Sequence, residues 1–113
     1  MIKVYTIPEF DKSLKRLSRK FPSLKVEYAD FIEKTERENV QGLSLGNGFY
    51  KARLSVQSKG KGKSGGLRII SYKEVIYKLD ETEIILVAIY DKSDLSSVDR
   101  RYLELLVTKY KTS

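Results

Sequence analysis

Gly46–Tyr72 reads GNGFYKARLSVQSKGKGKSGGLRIISY, and the fold turns on it. Two strand-like runs, Phe49–Val56 and Leu67–Tyr72, flank a segment of Gly, Ser and Lys. No acidic residue lies between Glu38 and Glu74, whereas Lys51, Arg53, Lys59, Lys61, Lys63, Arg68 and Lys73 do. The chain carries 22 Lys and Arg against 15 Asp and Glu, so the whole formal charge of +7 is concentrated in one hairpin. A structural hairpin would dilute such self-repulsion with Glu or Asp. The pattern predicts a site for a polyanion, with the rest of the chain as its mount.

Side chains alternate across a strand, so Phe49, Lys51, Arg53 and Ser55 share one face and Tyr50, Ala52, Leu54 and Val56 the other. The charged face reads as too polar for core, which leaves Tyr50, Leu54 and Val56 to pack inward. If the second run pairs antiparallel beside the first, Arg68 joins Lys51 and Arg53 on one open face. Lys92, after the apolar run Ile84–Asp91, can reach the same concavity. Arg offers a bidentate fork and Lys a point charge, so phosphate is the expected ligand. Lys59, Lys61 and Lys63 sit in a Gly-rich segment that cannot build a core and is expected to lie as an arm along a polynucleotide backbone. Tyr72 and Tyr90 are candidates for stacking unpaired bases, while Phe49 and Tyr50 read as packing residues. KGKGKSGG lacks the GxxxxGK[ST] spacing, and a strand follows it instead of a helix, so it is no phosphate loop of the nucleotide-triphosphatase kind.

Outward from the hairpin, the pattern predicts seven elements. Residues 2–5 form a short strand. Thr6-Ile7-Pro8-Glu9 has the form of a capping box, and Phe10, Leu14, Leu17 and Phe21 recur at helical spacing over residues 7–20. A second helix, opened by Pro22 and running to Glu38, carries Leu24, Tyr28, Phe31, Ile32 and Thr35 on one stripe. The short link makes the two an antiparallel helical hairpin. NVQGLSLGNG (residues 39–48) reads as a turn-rich connector, with Leu43 and Leu45 able to dip back toward the core. A hairpin connection over Glu74–Glu83 leads into IILVAIYD, a central strand covered on both faces. A final helix over residues 98–110, capped by Ser96 or Ser97, presents Leu103, Leu106, Val107 and Tyr110. The expected class is α+β, in the order β-α-α-β-β-β-α: a helical hairpin on a mostly antiparallel four-stranded sheet, in one domain spanning 1–113.

The chain has no Cys and no His. Disulfides, thiolate or imidazole metal sites, imidazole bases and Ser-His or Cys-His nucleophiles are therefore excluded, and no cofactor is expected. MIKVYTIPEF has no apolar signal core, and no run approaches 18 apolar residues, which predicts a soluble, cytoplasmic chain without a membrane partner.

With this order of elements and the stretches GNGFYKARL, SKGKGKSGGLRIISY and ILVAIYDKSD, the chain resembles the RelE/ParE superfamily of type II toxins over essentially its whole length. The nearest branch is the HigB-like one, in which a Lys/Gly loop precedes a GG-x-R-[IV]-I strand and a later strand ends in [IL]-Y-x-K. The resemblance implies a RelE-like, microbial-RNase-type fold and cleavage of mRNA in the ribosomal A site without a metal. It also implies a cognate antitoxin, of helix-turn-helix type, and the ribosome and its message as partners. The family's cationic positions fall on Lys51 and Arg53 of FYKARL, Arg68 of GGLRII and Lys92 of IYDKS. Ser93 stands where RelE has an Arg after that last Lys, and Asp99 falls nearest RelE's C-terminal catalytic Tyr, with Tyr102 following.

Cleavage through the ribose 2′-OH requires a base, stabilisation of a dianionic phosphorane, and protonation of the leaving 5′-oxygen. A Lys crowded by other cations gives up its proton more readily, which makes Lys51 the candidate base. Arg53 and Arg68 are then phosphate clamps, with Lys92 or Arg68 nearest the leaving oxygen. A ParE-like toxin acting on gyrase and a non-catalytic RNA-binding module remain the competing readings, since binding a phosphate and stabilising a phosphorane use the same residue types.

Overall fold

The computed structural model describes residues 1–59, 66–94 and 97–112. The strands are β1 (Ile2–Thr6), β2 (Leu43–Gly46), β3 (Phe49–Leu54), β4 (Leu67–Ile76) and β5 (Glu81–Asp91). The helices are α1 (Pro8–Lys20), α2 (Leu24–Glu38) and α3 (Arg100–Thr112). One open sheet has the order β1-β5-β4-β3-β2. β1 runs parallel to β5, and the other three pairings are antiparallel. The α+β class and the mostly antiparallel sheet agree with the sequence reading.

α1 and α2 form the expected hairpin. Phe10, Leu17, Leu24 and Thr35 are fully buried, Phe31 and Phe21 nearly so, and Leu14, Tyr28 and Ile32 pack against the same core. α1 lies on β5, an interior strand between β1 and β4, and α2 contacts β1. Leu67 and Ile69 of β4, paired with Asp91 and Ile89, present the apolar face of the sheet, with Ala52 and Leu54 of β3 alongside. Burying one such Leu or Ile stabilises the fold by about 1.5–3 kcal/mol. The opposite face receives α3, which buries Leu103, Leu106 and Val107.

Four local expectations change. The sheet has five strands, because Leu43–Gly46 pairs antiparallel with β3. The glycines that made this stretch read as pure connector are what lets it pair: Gly42, Gly46 and Gly48 all have positive φ. At Gly42 (φ +103°) a Cβ would stand 2.3 Å from the Lys51 carbonyl oxygen, so only Gly lets β2 close on β3 there. β4 continues to Ile76, which shrinks the connection expected over Glu74–Glu83 to the turn Tyr77–Asp80. Thr6 belongs to β1, and Ile7 occupies the N-cap of α1 without a side-chain bond, so no capping box forms. At α3 the cap is Asp99, whose Oδ1 accepts from the Arg101 N–H at 2.9 Å; Ser97 is exposed ahead of it, and Ser96 lies outside the described residues. Among the described residues no helix is long and apolar enough to cross a membrane.

Candidate functional site

Register brings the hairpin cations together. Arg53 on β3 stands directly opposite Arg68 on β4, and Lys51, two residues back, is on the same face opposite Ile70. With Gly42, Leu43 and Leu45 these three cations line one concavity of about 480 Å³. Arg53 is exposed at the rim, Lys51 half-buried, and Arg68 only 5% exposed at the floor.

The floor carries the electrostatic message. Among the described residues the guanidinium of Arg68 has a single hydrogen bond, Nη1 donating at 3.3 Å to the carbonyl of its own neighbour Leu67. No carboxylate pairs with it among the described residues, nor with the side chains of Lys51 and Arg53. Taking an ion out of water costs several kcal/mol unless a counter-charge answers it. Beside Arg68, across the β4–β5 ladder, stands Tyr90. Its hydroxyl is buried without a hydrogen-bond partner; burial pushes its pKa up, and Arg68 pulls against that. Arg68 thus lines the cationic concavity without a carboxylate among the described residues, and its ladder neighbour Tyr90 carries an unpartnered hydroxyl.

The remaining candidate residues stand elsewhere. Lys92 is exposed in the turn after β5 and is not part of the concavity's lining. Lys59 departs furthest from its expected place on an electrostatic arm. Its ammonium is 2.7 Å from both carboxylate oxygens of Asp91 and 5.2 Å from the centre of the Phe21 ring. Asp91 also accepts from the Ser93 N–H (3.0 Å) and Oγ (2.8 Å). Burial raises the Asp91 pKa, but these donors and the Lys59 charge together bring it down to about 2. Hydrogen bonds from Ser58 to Ser23 and from the Gln57 N–H to Glu27 tie the same segment to the α1–α2 turn. Lys59 is therefore a structural cation on the helical-hairpin side, because an acidic partner 32 residues away claims it. Lys61 and Lys63 lie outside the described residues.

The aromatic candidates are occupied by packing. The Tyr72 ring lies 5.2 Å from Phe49 and has the Lys111 ammonium 5.4 Å from its centre. Tyr90 is buried. Phe49 itself, on the charged face, is 2% exposed. That face is half core because α3 lands on it: Arg100, in the first turn of α3, sits 5.7 Å over the Phe49 ring and donates to the carbonyl of Leu45. Sequence reasoning missed Gly42, Leu43 and Leu45 as part of the site. The signal was the alternation Leu43-Ser44-Leu45 between glycines, a short edge strand in turn-like dress. Neither a protein-family model nor a curated protein matches this chain significantly.

Proposed function

We propose that the protein is the toxin of a type II toxin–antitoxin pair, with a RelE-like fold: an endoribonuclease that cuts mRNA on the ribosome and so halts translation in the cytoplasm. The observation that carries this reading is the buried, unanswered guanidinium of Arg68, opposite Arg53 and beside Lys51 in one cavity. A phosphodiester supplies the charge that this floor lacks, and a phosphorane supplies more of it.

In the reaction Lys51 is the base that takes the 2′-OH proton as the 2′-oxygen bonds to the adjacent phosphorus. Arg53 and Arg68 hold the non-bridging oxygens as their charge grows. The P–O5′ bond then breaks, leaving a 2′,3′-cyclic phosphate and a 5′-oxygen that takes a proton from solvent. Neither His nor a metal enters these steps. The cognate antitoxin is a helix-turn-helix protein whose free segment covers the cationic face or the helical hairpin, so antitoxin binding and cleavage compete.

The test is a ribosome-programmed cleavage assay on a defined message. Lys51→Ala and Arg68→Ala should each lower the rate by roughly 10²–10³-fold, the scale of one lost transition-state charge contact. Unchanged cleavage by both variants would refute the site. RNA binding without cleavage by the parent protein would return the reading to a non-catalytic RNA-binding module.

A further inference from the structure

The concavity is larger and more apolar than a phosphate clamp requires. Its volume of about 480 Å³ falls in the range of roughly 300–1,000 Å³ typical of sites for whole small molecules. Cations from β3 and β4 form one side, and Leu43 and Leu45 of the edge strand β2 form the other. Leu43 is 79% exposed and stands directly opposite Lys51. A lone exposed Leu would mean little. Here it walls a cavity shared with three cations that have no acidic partner among the described residues.

The wall is also held in place. Gly42 lets β2 approach β3 closely, and the β2–β3 register shifts between Ser44 and Gly46, at Leu45. Arg100 secures that irregularity by donating to the Leu45 carbonyl from the start of α3. Meanwhile the rings that could have stacked a base are unavailable: Tyr72 is engaged by Phe49 and Lys111, and Tyr90 is buried.

We propose that the concavity is a nucleotide subsite, in which one nucleobase of the RNA lies on the Leu43–Leu45 wall while its phosphate is held by Arg53 and Arg68. The proposal rests on the reading of this face as an RNA site. Aliphatic side chains offer a base face no hydrogen bonds, so the subsite accepts any of the four bases. It distinguishes a base from no base.

The test uses the full chain and a short single-stranded ribonucleotide made uncleavable by one 2′-deoxy position, beside the same oligonucleotide with an abasic residue at each position in turn. Binding is read by fluorescence anisotropy. The parent should prefer the base-bearing strand at one position. Leu43→Ser should weaken that strand by about fivefold, as expected for loss of one aliphatic contact, and leave the matching abasic strand unchanged. Leu43→Ile should restore the preference, and Arg53→Ala should weaken both strands alike. Because Leu43 is exposed, thermal melts of its variants should match the parent. Equal binding of base-bearing and abasic strands by the parent, or equal loss on both in Leu43→Ser, overturns the subsite. If the ribosome assay shows no cleavage while the Leu43 effect persists, the endonuclease reading falls and the subsite stands.

Discussion

Lys59 and Arg68 are two cations withdrawn from water on opposite faces of the same hairpin, and they are treated in opposite ways. The Lys59 side chain is 9% exposed and holds Asp91 at 2.7 Å, over the ring of Phe21. Arg68 is 5% exposed and, among the described residues, has only a long bond to a neighbouring carbonyl. Burial of a charge says little by itself. What discriminates is whether the fold supplies the counter-charge: where it does, the ion belongs to the structure, and where it does not, the charge is left for solvent or a ligand to answer.

The comparison breaks most sharply in stability. Lys59→Met leaves the Asp91 carboxylate buried without its cation, and losing one partner of a buried pair costs about 3–5 kcal/mol. Urea melts at neutral pH should show that loss. Acid should close the gap. Asp91 has its folded pKa depressed from the ordinary 3.8 to about 2, so its contribution is present above about pH 4 and disappears as pH falls toward 2. The difference between parent and Lys59→Met should therefore shrink over that window. A difference independent of pH would mean that the pair contributes packing only.

Arg68→Met should show the reverse pattern. Removing a charge that no carboxylate among the described residues answers should leave the melt unchanged or raise it. Message cleavage should fall by roughly 10²–10³-fold. A variant that loses stability as steeply as Lys59→Met would make Arg68 a structural cation as well, and the contrast would collapse.

The contrast was half legible in the sequence. The period of two placed Lys51 and Arg53 on one face, and the antiparallel hairpin brought Arg68 to them, because both rest on local geometry. The partner of Lys59 was not legible, since Asp91 meets it only through the path of β5 across the sheet. Phe49 read as a packing residue although alternation put it on the charged face; what it packs against was not legible, because that depends on where α3, starting at Arg100, comes down. Leu43 and Leu45 were hidden by their glycines, whose positive φ values make an edge strand resemble a turn. Outside the glycine-flanked β2, contacts set by adjacent strands could be read from the chain, and contacts set by a returning helix or strand could not.

Lys92 gives the smallest expected effect and the finest test of this division. Its place just after VAIYD at the end of β5, two residues beyond Tyr90, makes it look like a fourth member of the cluster by sequence spacing alone. In the fold it is exposed in the turn, outside the lining that Lys51, Arg53 and Arg68 share. An exposed unit charge acting on a phosphate through water across about one Debye length, ~10 Å, is worth at most on the order of 0.4 kcal/mol. Lys92→Ala should therefore slow cleavage by only about twofold at low salt, and the effect should fade as ionic strength rises. Loss of cleavage on the scale of Arg68→Ala, persisting at high salt, would put Lys92 in direct contact with the scissile phosphate. The turn after β5 would then have to close over the concavity when RNA binds.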